Sequence, residues 1–436
     1  MRLSRRAFLQ RSAAGVLLAG STDLLRAAAP RAGYGPLVDD PEGRLALPEG
    51  FSYAIVTEAG KTALETGEPT PRNHDGTGAF AVPGGGTVLV LNHEIREGAG
   101  TQLAVPHLDG LVYDPGAAGG CTIVTTDAAG RRVSERVGIA GTSTNCAGGV
   151  TPWRTWLTCE ETEARAGERG YERDHGYVFE VDPFDRAALV DPRPVKALGR
   201  YSHEALAVDP ATGDIYLTED ASGPNGLVYR WAPPAGFRGG RGALRLLGDT
   251  DGVLAAMRCT DEAGEHVPDL ARARSAGTTY RVEWVEVPDR DARDEPVREQ
   301  LGDGRVTRAH KLEGAWWGHG GAYIVSSYSS GHRGQVWFYD PRRSTLTLRL
   351  AFRGDDDGAD GPDNISVSPY GGVIVAEDGN GANHLVAAAE DGTTYRLARS
   401  ERGGEFTGPV FSADGRVLFA NVQVPGTMFA ITGPWV

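Results

Sequence analysis

Glu94, Glu160, Glu161, Glu204, Glu219, Asp220, Glu313, Asp363, Glu377 and Asp378 recur beside the ends of short apolar runs, and Cys146 stands in the same setting. Carboxylates gathered at one place cannot all stay ionised without compensating charge, because like charges in a partly desolvated site raise one another's pKa. Bound cations relieve that repulsion. Oxygen donors favour calcium, whereas a thiolate such as Cys146 selects a softer or redox-active metal such as iron or zinc. A polynuclear site of mixed donors is one reading; the other is that each carboxylate caps its own strand and faces solvent. His74, His93 and His203 each precede an acidic residue, where imidazole serves as ligand, proton donor or brace of a ligand. Cys146 and Cys159 fall nearly opposite one another in one hairpin, so a cross-strand disulfide competes with a metal thiolate there. Cys121 and Cys259 read as inert thiols.

These residues need a repeating scaffold to meet. Residues 86–94, 153–161, 213–220, 321–328, 372–378 and 415–421 share one form: an apolar run, rich in Val, Ile, Leu and aromatics, that stops at a small polar or acidic group. An earlier strand opens each unit, at Asn73-His74-Asp75, Asn145-Cys146, His203-Glu204, Lys311-Leu312-Glu313, Asp363-Asn364 and Phe406-Thr407-Gly408. Opening and closing groups lie about fifteen positions apart in most units, the length of two strands and a turn, so each unit is a hairpin. Both groups then sit at the end opposite the turn. Radial packing of six hairpins brings all those ends to one mouth of a central channel, and the expected fold is all-β, a six-bladed β-propeller. The stretch 232–309 lacks the repeat and reads as a blade insertion, with a helix near 253–259 and a lid over the mouth.

The chain has 436 residues with 61 glycines and 26 prolines, which demands frequent turns and disfavours long helical bundles. A formal charge of −14 opposes nucleic acid and anionic membranes as partners. Residues 1–29 read as a twin-arginine signal, with Arg5-Arg6 ahead of Phe8-Leu9, a short apolar stretch and Ala27-Ala28-Ala29. No later apolar run reaches the length of a bilayer span. The expectation is a monomer, exported by the twin-arginine machinery to the periplasm or beyond, without a membrane anchor, its residues 30–436 forming one propeller domain.

The run Asn145-Cys146-Ala147-Gly148-Gly149-Val150-Thr151-Pro152-Trp153, continuing from Thr155 to Glu161, resembles the twin-arginine-exported PhoX-type alkaline phosphatases. The resemblance extends through 175–183, 199–204, 360–364 and 406–408 to 431–435. It implies a six-bladed propeller with ferric iron and calcium at the channel mouth and hydrolysis of phosphate esters. Carried onto matching positions, Cys146 and Glu161 are implied iron ligands and Glu204 and Glu313 further cluster ligands, followed by Glu94, Glu219 and Asp220. In one place the sequence departs from the family, whose Arg-Pro-Glu triplet is here Lys311-Leu312-Glu313. Lysine binds phosphate as a point charge without the guanidinium fork.

The mechanism expected on that basis is metal-assisted hydrolysis of phosphate monoesters, with Lys311 holding a phosphate oxygen and His203 protonating the leaving group. Two rival readings use the same scaffold: a metal-binding propeller without catalysis, and a calcium-dependent lactonase or other ester hydrolase.

Overall fold

The apolar runs fold as strands, and each pairs antiparallel with its opening strand. The computed structural model describes residues 33–327, 333–352 and 360–436; the signal read at 1–29 lies outside them. The six opening strands are β1 (His74–Ala81), β2 (Asn145–Val150), β3 (His203–Val208), β4 (Leu312–Gly318), β5 (Pro362–Val367) and β6 (Phe406–Phe411). Each packs against the next, and β6 returns to β1, so they form a closed inner ring.

Outward from this ring the chain builds an all-β, propeller-like fold of antiparallel sheets. The sheet of β6 is completed by strand Ser52–Glu58 from the other end of the chain, which pairs with Thr427–Thr432. This junction closes the circle and protects a strand edge that would otherwise stay open. Leu45–Pro48 does the same for the sheet of β5, pairing with Thr394–Ser400.

Six separate sheets were expected, and hydrogen bonding departs from that. A 10-stranded sheet runs continuously from β3 to β4. The bridge is Thr279–Glu286, inside the insertion, which pairs with Val253–Thr260 on one side and Thr345–Phe352 on the other. The helix expected near 253–259 is therefore a strand. Its backbone groups are satisfied from both sides, by Val228–Ala232 and by Thr279–Glu286, and that ladder outweighs the helix propensity of its alanines and methionine. The rest of the insertion is pinned to the blade rather than free. Arg290 donates to Ala197 O and Asp251 O, and Arg200 to the carbonyls of Asp291 and Ala292.

Aromatic residues fill the spaces between sheets. Trp156, Trp231 and Trp337 are fully buried, and each indole N–H has an acceptor: Asn92 Oδ1, Asp251 O and Gln335 Oε1. No described helix is long and apolar enough to cross a membrane.

Candidate metal centre

All six inner strands break register at the same place: between His74 and Thr77, Asn145 and Gly148, His203 and Leu206, Leu312 and Ala315, Pro362 and Ile365, and Thr407 and Val410. A bulge bends its strand and re-aims a side chain. The first residue inside each bulge is Asp75, Cys146, Glu204, Glu313 and Asp363 in β1 to β5, and Gly408 in β6. The second is small in most cases because neighbouring strands touch there. A Cβ on Gly76 would lie 2.6 Å from Ala147 Cα, and one on Gly314 2.7 Å from Asp363 O.

The outer strands of three hairpins each contribute a pair of acidic residues with divided labour. The last strand residue anchors the loop. Glu160 accepts from the backbone N–H groups of Ser143, Gly176 and Tyr177 and bonds His175 Nδ1 at 2.6 Å. Glu219 accepts from Leu227 N, Tyr229 Oη and Arg298, and Glu377 from Asp360 N and His384 N. The following residue joins the bulge residues instead: Glu94, Glu161, Asp220 and Asp378, with Gln423 in the last unit. One step along the chain separates a structural carboxylate from one at the mouth.

The ligand atoms of Cys146, Glu161 and Glu204 lie within 4.8 Å of one another, as do those of Glu204, Glu313 and Asp363, so Glu204 is common to both groups. Cys146 Sγ is 3.0 Å from Glu204 Oε1 and 3.7 Å from Asp75 Oδ2. Gln423 Nε2 donates to Asp75 Oδ2 at 3.0 Å and Glu94 Oε2 at 2.7 Å, tying those two carboxylates together. Asp75 Oδ1 is buried with no hydrogen-bond partner among the described residues. Burial, and then mutual repulsion, pushes Asp75, Glu161, Glu204, Glu313 and Asp363 well above the carboxylate range. Burial and the neighbouring Asp378 raise Glu405 to about 9, and burial with nearby carboxylates raises the Cys146 thiol. Among the described residues, Lys311, 2.9 Å from Glu313, and Arg96, bonded to Glu94 and Glu161, meet this charge.

Several residues brace the bulges from the neighbouring hairpin. Asn92 Nδ2 donates to the carbonyls of Cys146 and Ala147, Thr218 Oγ1 to Glu313 O, and Asn421 Nδ2 to Asp75 O. The site is thus held by backbone contacts between adjacent hairpins.

The model of the family described as alkaline phosphatase PhoX matches residues 32–426. The chain belongs to the PhoX alkaline phosphatase family. Enzymes of this family are metal-dependent phosphoric monoester hydrolases. No curated protein sequence matches this PhoX-family chain significantly. Among solved structures, PhoX of Pseudomonas fluorescens, in complex with the transition-state analogue vanadate, superposes with a TM-score of 0.68 at 18% identity. The alignment covers 90% of this chain and 96% of that one. A gluconolactonase of Xanthomonas campestris aligns with a TM-score of 0.40 at 15% identity, over 87% of this chain and 100% of that one.

Of the residues expected at the site of this PhoX-family chain, Cys146, Glu161, Glu204, Glu313, Glu94 and Asp220 converge, with Lys311 beside them. Glu219 does not: it is turned into the blade against Arg298 and Tyr229. His203 is also placed elsewhere. Its ring stacks on Tyr201 at 3.7 Å, bonds Gly199 O, and is held by burial at a pKa of about 3, which does not suit it to protonate a leaving group. The bulge sends adjacent side chains apart, so Glu204 enters the cluster and His203 the core. All four cysteines are free, which removes the Cys146–Cys159 disulfide in favour of the Cys146–Glu204 contact. Glu405 and Arg96 were not foreseen, and Asp75 was placed at the mouth only as part of an opening group, not among the converging carboxylates. The signal for Asp75 was its place in Asn73-His74-Asp75, equivalent to Cys146 in Asn145-Cys146.

The anchoring role of Glu160 is testable by itself. Glu160→Ala leaves three buried N–H groups and His175 without their acceptor, and is expected to destabilise the fold by about 3–5 kcal/mol in denaturant unfolding.

Proposed function

We propose that this protein is an exported phosphatase that hydrolyses phosphate monoesters with a calcium- and iron-containing cluster at the mouth of a six-bladed propeller. The observation that carries this reading is the convergence of Asp75, Cys146, Glu204, Glu313 and Asp363 from successive inner strands at one equivalent bulge. Six blades are supported by the closed ring of six inner strands, with the 10-stranded sheet read as two blades joined by the insertion. The Arg5-Arg6 signal supports export to the periplasm or beyond through the twin-arginine machinery.

The donor set fits cations. One thiol, several carboxylates, an unpartnered buried Asp75 Oδ1 and strongly raised carboxyl pKa values all describe a site deficient in positive charge. Cys146, Glu161 and Glu204 suit iron; Glu204, Glu313 and Asp363, all oxygen donors, suit calcium. Such cations supply Lewis-acid charge that draws in the phosphoryl oxygens and stabilises their transition-state charge. The chain's own part is to fix the donors. The bulges aim them, the braces from Asn92, Thr218 and Asn421 hold their backbones, and Gln423 orients Asp75 and Glu94. Lys311 stays an ammonium at alkaline pH because Glu313 raises its pKa, and its partly exposed head is available to a phosphate oxygen.

The direct test is hydrolysis of p-nitrophenyl phosphate at alkaline pH by the full-length exported protein, with metal analysis, before and after chelation. A chelator-sensitive rate supports the reading; a metal-replete protein without turnover overturns it. Lys311→Ala is expected to raise KM by about tenfold or more, as the loss of one charge-assisted hydrogen bond predicts, with Lys311→Arg near the wild type. Steady-state kinetics of the two variants check this.

A further inference from the structure

Arg96 stands two residues beyond Glu94, past the end of strand Thr87–His93, and belongs to no part of the sequence pattern that locates the carboxylates. Its Nε and Nη2 donate to Glu94 Oε1 at 2.8 and 2.5 Å, and Nη2 also reaches Glu161 Oε2 at 2.9 Å. The guanidinium is therefore held by two mouth carboxylates from different hairpins. Yet its side chain remains 60% exposed, and Nη1 has no hydrogen-bond partner among the described residues. A cation whose only task was to neutralise Glu94 and Glu161 would need no such exposure.

Lys311 also meets a mouth carboxylate, its Nζ 2.9 Å from Glu313 Oε1, and its side chain is likewise exposed. An anion approaching this mouth meets a field dominated by carboxylates and needs exposed positive charge to enter. The exposed side chains of Arg96 and Lys311 provide it. The two cations differ in what they offer: Lys311 holds one oxygen as a point charge, whereas a guanidinium fixed at Nε and Nη2 presents its free Nη1 in one direction and so sets where a phosphoryl oxygen binds.

We propose that Arg96 is a substrate-positioning residue that donates from its free Nη1 to an oxygen of the phosphoryl group. The proposal rests on the phosphatase reading above. It assigns the orientation of the phosphate, as distinct from its attraction, to a residue outside the carboxylate pattern.

The test compares wild type, Arg96→Lys and Arg96→Ala, each full-length and metal-loaded. The measurements are KM and kcat for p-nitrophenyl phosphate, competitive inhibition by inorganic phosphate, and metal per chain. Arg96→Ala is expected to raise both KM and the phosphate inhibition constant by about ten- to a hundredfold, the usual effect of losing hydrogen bonds to a charged group. Arg96→Lys should fall between, metal content should stay at the wild-type level, and free guanidinium ion should restore part of the lost affinity. Phosphate inhibition unchanged in Arg96→Ala, with an active wild type, overturns the proposal alone. Loss of metal in step with activity also overturns it, since Arg96 would then act only by bracing Glu94 and Glu161. A wild-type protein that neither turns over the ester nor binds phosphate overturns the phosphatase reading with it.

Discussion

Glu204→Gln is expected to lower phosphatase turnover by at least about a hundredfold and to reduce the bound metal, because a ligand contributes no less than the partners that merely orient ligands. Glu204 is the residue shared by both groups of donors, and only 1% of its surface is exposed. The amide keeps the shape and can still bond Cys146, but it removes the charge on which both groups depend. Stability should move the other way. In the metal-free protein the Glu204 carboxyl is strained by burial and by Glu313, Glu161 and Asp363, so replacing it with a neutral group relieves repulsion. The metal-free variant should therefore melt no lower than metal-free wild type at pH 8. A variant with wild-type turnover and metal content would remove Glu204 from the centre. A variant that is inactive because it is unfolded would be identified by its melting curve.

The hairpins were legible because a strand that ends at a polar group leaves the same mark at each repeat, and six marks at similar spacing define a ring. Glu160 and Glu161 show where that legibility stopped. Both are acidic and both close the same strand, but Glu160 lies within the ladder opposite Asn145 and turns to its own loop amides, whereas Glu161 lies past it. The same phase separates Glu219 from Asp220 and His203 from Glu204. Bulges set that phase, and a bulge carries no residue signature beyond the small residues that the crowded ring requires, such as Gly76 and Gly314. Glu405 escaped notice because it precedes strand β6 rather than ending a strand, and Arg96 because it lies in a loop. Both reach the mouth through the way the hairpins pack, which no local pattern encodes. The strand Val253–Thr260 and the bridge Thr279–Glu286 were hidden for a related reason: each is specified by partners far away in the chain.

Removing the metal should make the stability of this protein fall as pH rises, contrary to the usual behaviour of proteins whose carboxylates are paired. Asp75, Glu161, Glu204, Glu313 and Asp363 all have folded-state pKa values above their unfolded ones, by burial first and then by one another's charge, and Glu405 reaches about 9. Between the unfolded and folded values the native state holds more protons than the unfolded chain. Stability is then fully present below about pH 4 and declines as pH rises toward the folded values, by about 1.4 kcal/mol per pH unit for each proton of difference. Lys311 and Arg96 offset only part of this, and the carboxylates they pair with are a fraction of those present. A bound cation reverses the argument, because it favours the ionised carboxylates and binds more tightly as they lose protons. Thermal melting from pH 5 to pH 9 should therefore give two diverging curves: nearly level or rising with metal, steadily falling after chelation, with the widest gap at pH 9. Parallel curves would mean that the carboxylates at the mouth do not share a cation. A gap that widens with pH would tie the alkaline stability of the fold to the same groups that are proposed to carry its chemistry.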